Sequence, residues 1–390
     1  MKTKIISIIA FPLFVCATAY AQGITWTPAN PMNKARAFFP AVALLNGNVL
    51  VAGGYDGSLP FPDFIFADSE IYNLQTGAWT PIAPMNTPRA APVAVRLENG
   101  RVMVIGGGDQ FFNILDSAEI YDPSTNTWSK TAPMNDARFE DFVAVLLPGG
   151  KVLVAGGTGI DGVTSLTSAE IYDEATNTWT FNGSMNVGRG EIANVVLNDG
   201  RVLVMGGITE LSENGQPIAS AEIYDPVTGT WTLTGSMSTA REDHTAVRLL
   251  DGRVLVAGGA TSEDVPRLSS AEIFDPNTGQ WTPTGDMTTG RSEEEYGGIR
   301  LRDGRVLIPG GFSAFETPGA SADVYDPRTG TWTPAGSMSV PRAGQPSTAL
   351  PGNRVLVMGG LNSPPAATAS VDIAVTIPTP RPRPTPPPRP

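Results

Sequence analysis

Residues 117–157 read SAEIYDPSTNTWSKTAPMNDARFEDFVAVLLPGGKVLVAGG. Ser117–Tyr121 has the β-branched and aromatic content of a strand, and it stops at Asp122-Pro123, where proline presets φ for a turn. A second strand carries Trp128. Past Met134 and Arg138 an apolar stretch from Phe142 to Leu147 meets Gly149-Gly150, a pair suited to a tight hairpin because both central residues need positive φ. Val152–Ala155 then runs without polar alternation into Gly156-Gly157, and a run of that kind is buried on both faces. The segment therefore holds four strands in succession and no helical period.

The same frame recurs along the chain. Tryptophan occurs at 26, 79, 128, 179, 231, 281 and 332, methionine six residues after each, and arginine four residues after each methionine: Arg36, Arg89, Arg138, Arg189, Arg241, Arg291 and Arg342. Seven apolar runs end in Gly-Gly at intervals of 49 to 53 residues, beginning at Gly53 and ending at Gly359. Most first hairpins carry Asn-Gly or Asp-Gly, as at Asn46-Gly47 and Asp251-Gly252. A four-stranded unit buried on both faces needs a neighbour on each side, and radial stacking supplies both. The expected fold is all-β, a seven-bladed β-propeller. Trp26 has no preceding strands of its own, and the last unit has no Trp after Ser370–Ile373. The N-terminal strand is therefore expected to join the last blade and close the ring.

Composition agrees. Gly and Pro make up 78 of 390 residues and charged residues only 16%, which excludes a helical bundle. At 41% hydrophobic residues the chain can bury a core. The net charge of −12 opposes non-specific nucleic-acid binding. No phosphate-cradling G-x-x-x-x-G-K is present, and the Asp-Gly pairs fall in hairpin turns without the spaced ligands of a calcium loop.

Both ends read as lying outside the fold. Residues 1–21 have Lys2 and Lys4, an apolar stretch from Ile5 to Val15 and Ala19-Tyr20-Ala21, the pattern of a signal peptide cleaved before Gln22. Cleavage before a lipidated Cys16 is the alternative, with Val15 a poor fit. Removal of residues 1–21 takes the only cysteine and two lysines, leaving a charge of −14. The expected location is secreted, periplasmic or on the cell surface, with no membrane span. Residues 377–390 contain eight Pro and three Arg and read as an extended polyproline II tail, either a stiff spacer or a docking peptide. Residues 22–376 are left for the propeller, expected to be a monomer.

The unit SAEIYDPSTNTWSKTAPMNDAR…GGKVLVAGG resembles the kelch repeat, which is marked by Gly-Gly, a Tyr and a Trp six residues before a Met. The resemblance covers residues 22 to about 374. It implies four-stranded kelch blades of the kind found in the central domain of galactose oxidase. Phe274 stands for Tyr in blade five, Ala374 in blade seven, and Asp323 for Glu in blade six. The name covers a copper oxidase, a sialic-acid epimerase and peptide-binding adaptors, so it does not choose a function. The copper site of such an oxidase needs Tyr and His ligands and a thioether-forming Cys. This chain has one His, His244, and one Cys, Cys16, so that site cannot be built. No cofactor and no metal are expected.

Strand parity locates the functional face. The two-residue turns and the D-P-x-T-G turns share one face; the other carries the longer loops and the seven arginines. Loops position sites better than tight turns. In the kelch adaptors the matching arginines grip acidic peptides, which gives a ligand role to Arg138, Arg189, Arg241 and Arg291; the alternative is that each arginine bonds a carbonyl or an acid of a neighbouring blade. Blades three to six are acidic beside the arginine: Glu140, Asp141, Glu191, Glu242, Asp243, Glu293, Glu294 and Glu295. Blades one, two and seven carry Phe38, Phe39, Ala90, Ala91, Ala343 and Gly344, and the loops of blades one and two add Tyr55, Phe61, Phe64, Phe66, Phe111 and Phe112. The candidate ligand-binding set is Arg138, Arg189, Arg241, Arg291, Glu242, Asp243, His244, Glu293 and Glu294, although His244 also fills a position where kelch units often carry His. The reading is an exported binding module for a protein or a glycan. A carboxylate-dependent sugar-processing enzyme using Glu242, Asp243, Glu293 and Glu294, and a plain scaffold, are the alternatives.

Overall fold

The computed structural model describes residues 23–57, 65–111, 113–212, 215–262, 266–292, 297–314, 317–362 and 366–376. Cys16 and the two ends read as signal and tail lie outside them. Seven antiparallel sheets form the ring. Blade five is representative: Thr245–Arg248 is innermost, followed by Val254–Ala257, Ala271–Asp275 and Gln280–Pro283. Blade six adds a short strand, Phe312–Ala314, paired to its long third strand Thr317–Asp326.

The ring closes as the sequence predicts. Ile24–Ala29 pairs antiparallel with Val371–Thr376, setting Trp26 opposite Ala374, and completes the sheet of Ser347–Leu350 and Arg354–Met358. The Trp26 indole N–H also donates to the Ala335 carbonyl of blade six at 2.7 Å. The first and last strands of the propeller thus share one sheet.

The apolar core is distributed between blades. There are seven buried clusters, and each spans one interface. Met103, Ile105 and Ile120 of blade two pack with Phe142, Val152, Val154 and Trp179 of blade three. Ile24, Val355 and Ala374 of blade seven pack with Leu307, Val324 and Met338 of blade six. This is why the second strands lack alternation: Val49–Ala52, Val102–Ile105 and Val202–Met205 are buried at every residue. A Tyr or Phe of the third strand faces the Trp of the fourth in six blades, with ring centroids 5.0 to 5.2 Å apart. All seven methionines of the frame are buried; Met85, in the loop entering blade two, caps Gly53 of blade one.

Candidate functional site

The arginines come first because they shape everything around them. Each is buried, from 0 to 2% exposed. Arg138 donates from one terminal nitrogen to the carbonyls of Gly156 and Ser168, and from the other to the Ser168 hydroxyl and Glu170. Arg189 repeats this with Gly206, Ser220 and Glu222, Arg241 with Gly258, Ser270 and Glu272, and Arg291 with Gly310, Ser321 and Asp323. The expectation that these four line the opening does not hold. Their guanidinium groups point into the blades, where a planar fork joins two Gly/Ser carbonyls to a carboxylate.

That carboxylate explains the S-A-E sequence. Glu170 also accepts from the Asn135 and Asp136 backbone N–H groups and from the Asn135 side chain. Glu70, Glu119 and Glu222 repeat the pattern with Asn33, Asn86 and Asn186. The third-strand acid therefore pins the Met-to-Arg loop that enters its own blade, and every M-x3-R segment has a fixed shape.

With the arginine anchored, the second residue after it turns inward in a left-handed conformation: Phe38 (φ 51°), Ala91 (46°), Glu140 (49°), Glu191 (50°), Asp243 (50°) and Gly344 (60°). The left-handed region costs a residue with a Cβ roughly 1–2 kcal/mol, and such strain gathers at functional sites. Backbone bonds link the collar around the ring: the Phe38 N–H donates to the Gly344 carbonyl, and the Ala91 N–H to the Phe38 carbonyl. A Cβ on Gly344 would lie 2.8 Å from the Phe38 ring, so blade seven needs glycine where Phe38 leans across.

The collar surrounds a cavity of about 470 Å³ on the loop face. One wall is Phe38, Tyr55, Ile65, Ala90, Ala91 and Ile114, with Phe139 beyond; the other carries Glu140, Asp141, Glu191 and Asp243. Phe38 and Tyr55 stack at 5.5 Å with planes 18° apart. Among its described lining residues there is no Lys, Arg or His. Burial, and then the neighbouring Asp243 charge, push the Glu140 carboxyl up to about 7, and Glu140 Oε2 is buried with no hydrogen-bond partner. The fifth acid at the wall, Asp109, is committed to its own loop, accepting from the Phe111 and Asn113 backbone N–H groups.

Of the sequence-predicted residues, Asp243 lines this cavity. Glu242 is buried beside it, and its backbone bridges to Ala260. His244 is buried between blades: a Cβ on Gly206 of blade four would meet its Cε1 at 2.5 Å, and one on Gly259 of blade five its Cβ at 2.9 Å. Phe39, Phe142, Ile192 and Gln345 fill the same slot in other blades. Neither imidazole nitrogen has a partner among the described atoms, and burial, then Arg241 and Arg189, hold the ring well below its usual pKa and so neutral. Glu293, Glu294 and Glu295 lie outside the described residues, as do Phe61, Phe64 and Phe112. Phe66 packs under Arg36 and Lys34, while Phe111 is exposed. Glu140, Asp141 and Glu191, noted in the sequence only as acidic neighbours of arginine, prove to be cavity carboxylates; the signal for Glu140 and Glu191 is the offset of two from the arginine, which Asp243 shares. Among the described residues no three His, Cys, Asp or Glu are grouped as metal ligands, and no helix long and apolar enough to cross a membrane is formed.

An all-β ring with a cavity on its loop face defines a β-propeller of the repeat type. The Kelch motif matches residues 36–86, 92–135, 142–186, 193–238, 244–288 and 302–339, more than half the chain, and the chain belongs to the kelch-repeat family. It is similar to mouse Kelch-like protein 23 (26% identity over 58% of this chain and 38% of that protein) and to Limulus polyphemus alpha-scruin (26% over 50% and 21%). An F-box/kelch-repeat protein of Arabidopsis thaliana is 33% identical over 29% of each chain. The alignments thus span between about a fifth and two fifths of these relatives. A fungal alcohol oxidase of the AA5 family, solved in complex with copper, superposes with a TM-score of 0.73 over 91% of this chain and 76% of that one, at 18% identity. That likeness is one of fold. A copper site of the kind the resemblance implies does not fit here, since the one histidine is wedged between blades and belongs to no group of three His, Cys, Asp or Glu among the described residues.

Proposed function

We propose that this propeller is an exported interaction module that binds a protein partner at the loop-face cavity. The observation that carries this reading is the cavity itself: about 470 Å³ is within the range of about 300–1,000 Å³ usual for binding sites, and its walls come from five blades. Exposed Phe111, Ile160 and Val163 lie in the same loops and supply apolar rim of the kind that marks a protein interface. Export rests on the Lys2–Ala21 pattern, and the Pro-rich tail serves as a spacer. The direct test is binding of peptide and glycan panels to the full chain and to Ala90→Trp, which fills the cavity from its wall. Peptide binding that the bulky variant abolishes, at an unchanged melting temperature, supports the reading. Binding indifferent to the variant moves the site elsewhere.

A glycan is the alternative ligand, and a sugar-processing enzyme is the second reading. One observation favours the latter: burial and the neighbouring Asp243 push the Glu140 carboxyl up to about 7, the range that suits a general acid or base. Turnover of a sugar in the same panel, lost in Glu140→Gln, would establish it.

A further inference from the structure

The resemblance to peptide-binding kelch propellers implies a cationic site for acidic peptides; the geometry here has the opposite sign. Every guanidinium of the M-x3-R frame is withdrawn into a blade and neutralised there. What remains at the opening is Glu140, Asp141, Glu191 and Asp243, facing a wall of Phe38, Tyr55 and Ile65. We propose that the cavity receives a lysine or arginine side chain from a segment of a partner protein, with its methylene stem against the stacked Phe38–Tyr55 pair and its charged head among these carboxylates. This rests on the interaction-module reading above and names the partner's chemistry.

Three independent observations support a basic side chain over other occupants. Glu140 Oε2 is a buried acceptor with no donor from the protein, and a buried acceptor left unpaired costs about 1–3 kcal/mol; an incoming N–H donor relieves it. The carboxylates come from blades three, four and five, so a flat guanidinium or a three-donor ammonium carried on a flexible stem can pair with oxygens of more than one blade. The apolar half of the cavity, with the stacked Phe38–Tyr55 pair, matches the stem of such a side chain, which buries its methylenes while its head stays polar. The exposed apolar rim at Ile160 and Val163 fits a polypeptide carrying that side chain better than a free amine.

The test uses the full chain against an unbiased random dodecapeptide display library, followed by fluorescence anisotropy of the enriched peptides. The expected result is enrichment of one lysine or arginine position, at least a tenfold loss of affinity when it becomes norleucine, and a similar loss in Glu140→Gln/Asp243→Asn with the melting temperature retained. Ala90→Trp provides a second variant that leaves the carboxylates in place and should also abolish binding. Cavity-dependent peptides without a basic position would overturn this inference while leaving the interaction module standing. The absence of any cavity-dependent peptide would overturn both. Spermidine or Ca²⁺ binding as tightly as the best peptide would make the site one for free cations, and glycan binding in place of peptides would make it a sugar site; either outcome overturns the proposal.

Discussion

Arg138 and Glu170, 32 residues apart, meet at 3.0 Å with neither side chain exposed to solvent. The pair joins the entry of blade three to its third strand, and six other blades repeat it. Because the carboxylate also holds the Asn135 and Asp136 backbone N–H groups, the pair acts as a brace for a loop and not as an isolated ionic contact. Removing one partner of a buried pair costs about 3–5 kcal/mol, since the other charge stays buried. Arg138→Ala and Glu170→Gln should each lower stability by that order in a denaturant melt. Arg138→Lys should recover little, because an ammonium cannot span two carbonyls and a carboxylate in one plane. A lysine variant that melts like the parent would show that charge alone matters.

Closure of the ring gives a second prediction. Deleting residues 23–29 removes the outer strand of blade seven and the Trp26 bond to Ala335. Leu301, Val324 and Met338 of blade six then lose part of their cluster. Cooperative unfolding at a much lower temperature is expected. An unchanged thermal transition would mean that the other three strands hold blade seven alone.

The Glu140 carboxyl supplies a pH signature. Its neighbours across the cavity are Asp141, Glu191 and Asp243, all acids. A folded-state pKa raised from 4.5 to about 7 means that the native protein holds this proton more tightly than the unfolded chain. The contribution is therefore fully present below about pH 4.5 and is lost as pH rises through 7. Glu140→Gln should flatten the dependence of stability on pH over this window and be the more stable protein at pH 8. A parent whose stability is level between pH 5 and 8 contradicts the assignment.

His244 provides a test of its wedge role. Since Phe39 and Phe142 occupy the same slot in blades one and three, His244→Phe should be neutral or stabilising by up to about 1 kcal/mol, as it removes a buried ring with no hydrogen-bond partner. A loss above 2 kcal/mol would show that an imidazole nitrogen is used.

Glycine substitutions separate backbone strain from crowding. At Gly149 (φ 92°) an added Cβ meets nothing within 4 Å, whereas at Gly206 (φ 61°) it lies 2.5 Å from both the Arg241 carbonyl and His244. Alanine at Gly149 should cost about 1–2 kcal/mol from conformation alone. Alanine at Gly206 should cost several kcal/mol more by forcing blades four and five apart. Equal losses would mean that the blade interface yields easily.

How far the sequence reached can be traced residue by residue. W-x5-M-x3-R is rigidly spaced because Trp, Met and Arg sit in one uninterrupted segment, so the blades and the lone strand at Trp26 were both legible. The split blade is also where the matched kelch segments stop, at residue 339, since its strands are not contiguous in the chain. The direction of the arginines was not legible. Recurrence in all seven blades favours a structural bond over a ligand ring, but it does not say which blade supplies the partner, and the deciding one, Glu170 for Arg138, lies two strands away in the arginine's own blade. Three cavity acids, Glu140, Glu191 and Asp243, share an offset of two from their arginine, but Asp141 was hidden by spacing. Two residues separate Arg189 from Ile192 and Arg241 from His244, but three separate Arg138 from Phe142, and the extra residue gives blade three two successive left-handed acids, Glu140 and Asp141. Only the wedge position, seen in space, reveals that insertion.

The pairing of Ile24 with Thr376 also has a geometric consequence. The Thr376 N–H donates to the Asn353 carbonyl, in the hairpin turn of blade seven, so both ends of the folded chain leave from the hairpin side, away from Phe38 and Glu140. Anything joined before residue 24 or after 376 holds the ring from behind. A tether at either end, or at both, leaves the acidic opening facing outward, and force applied between the two ends would peel Ile24–Ala29 away from its neighbour one residue pair at a time.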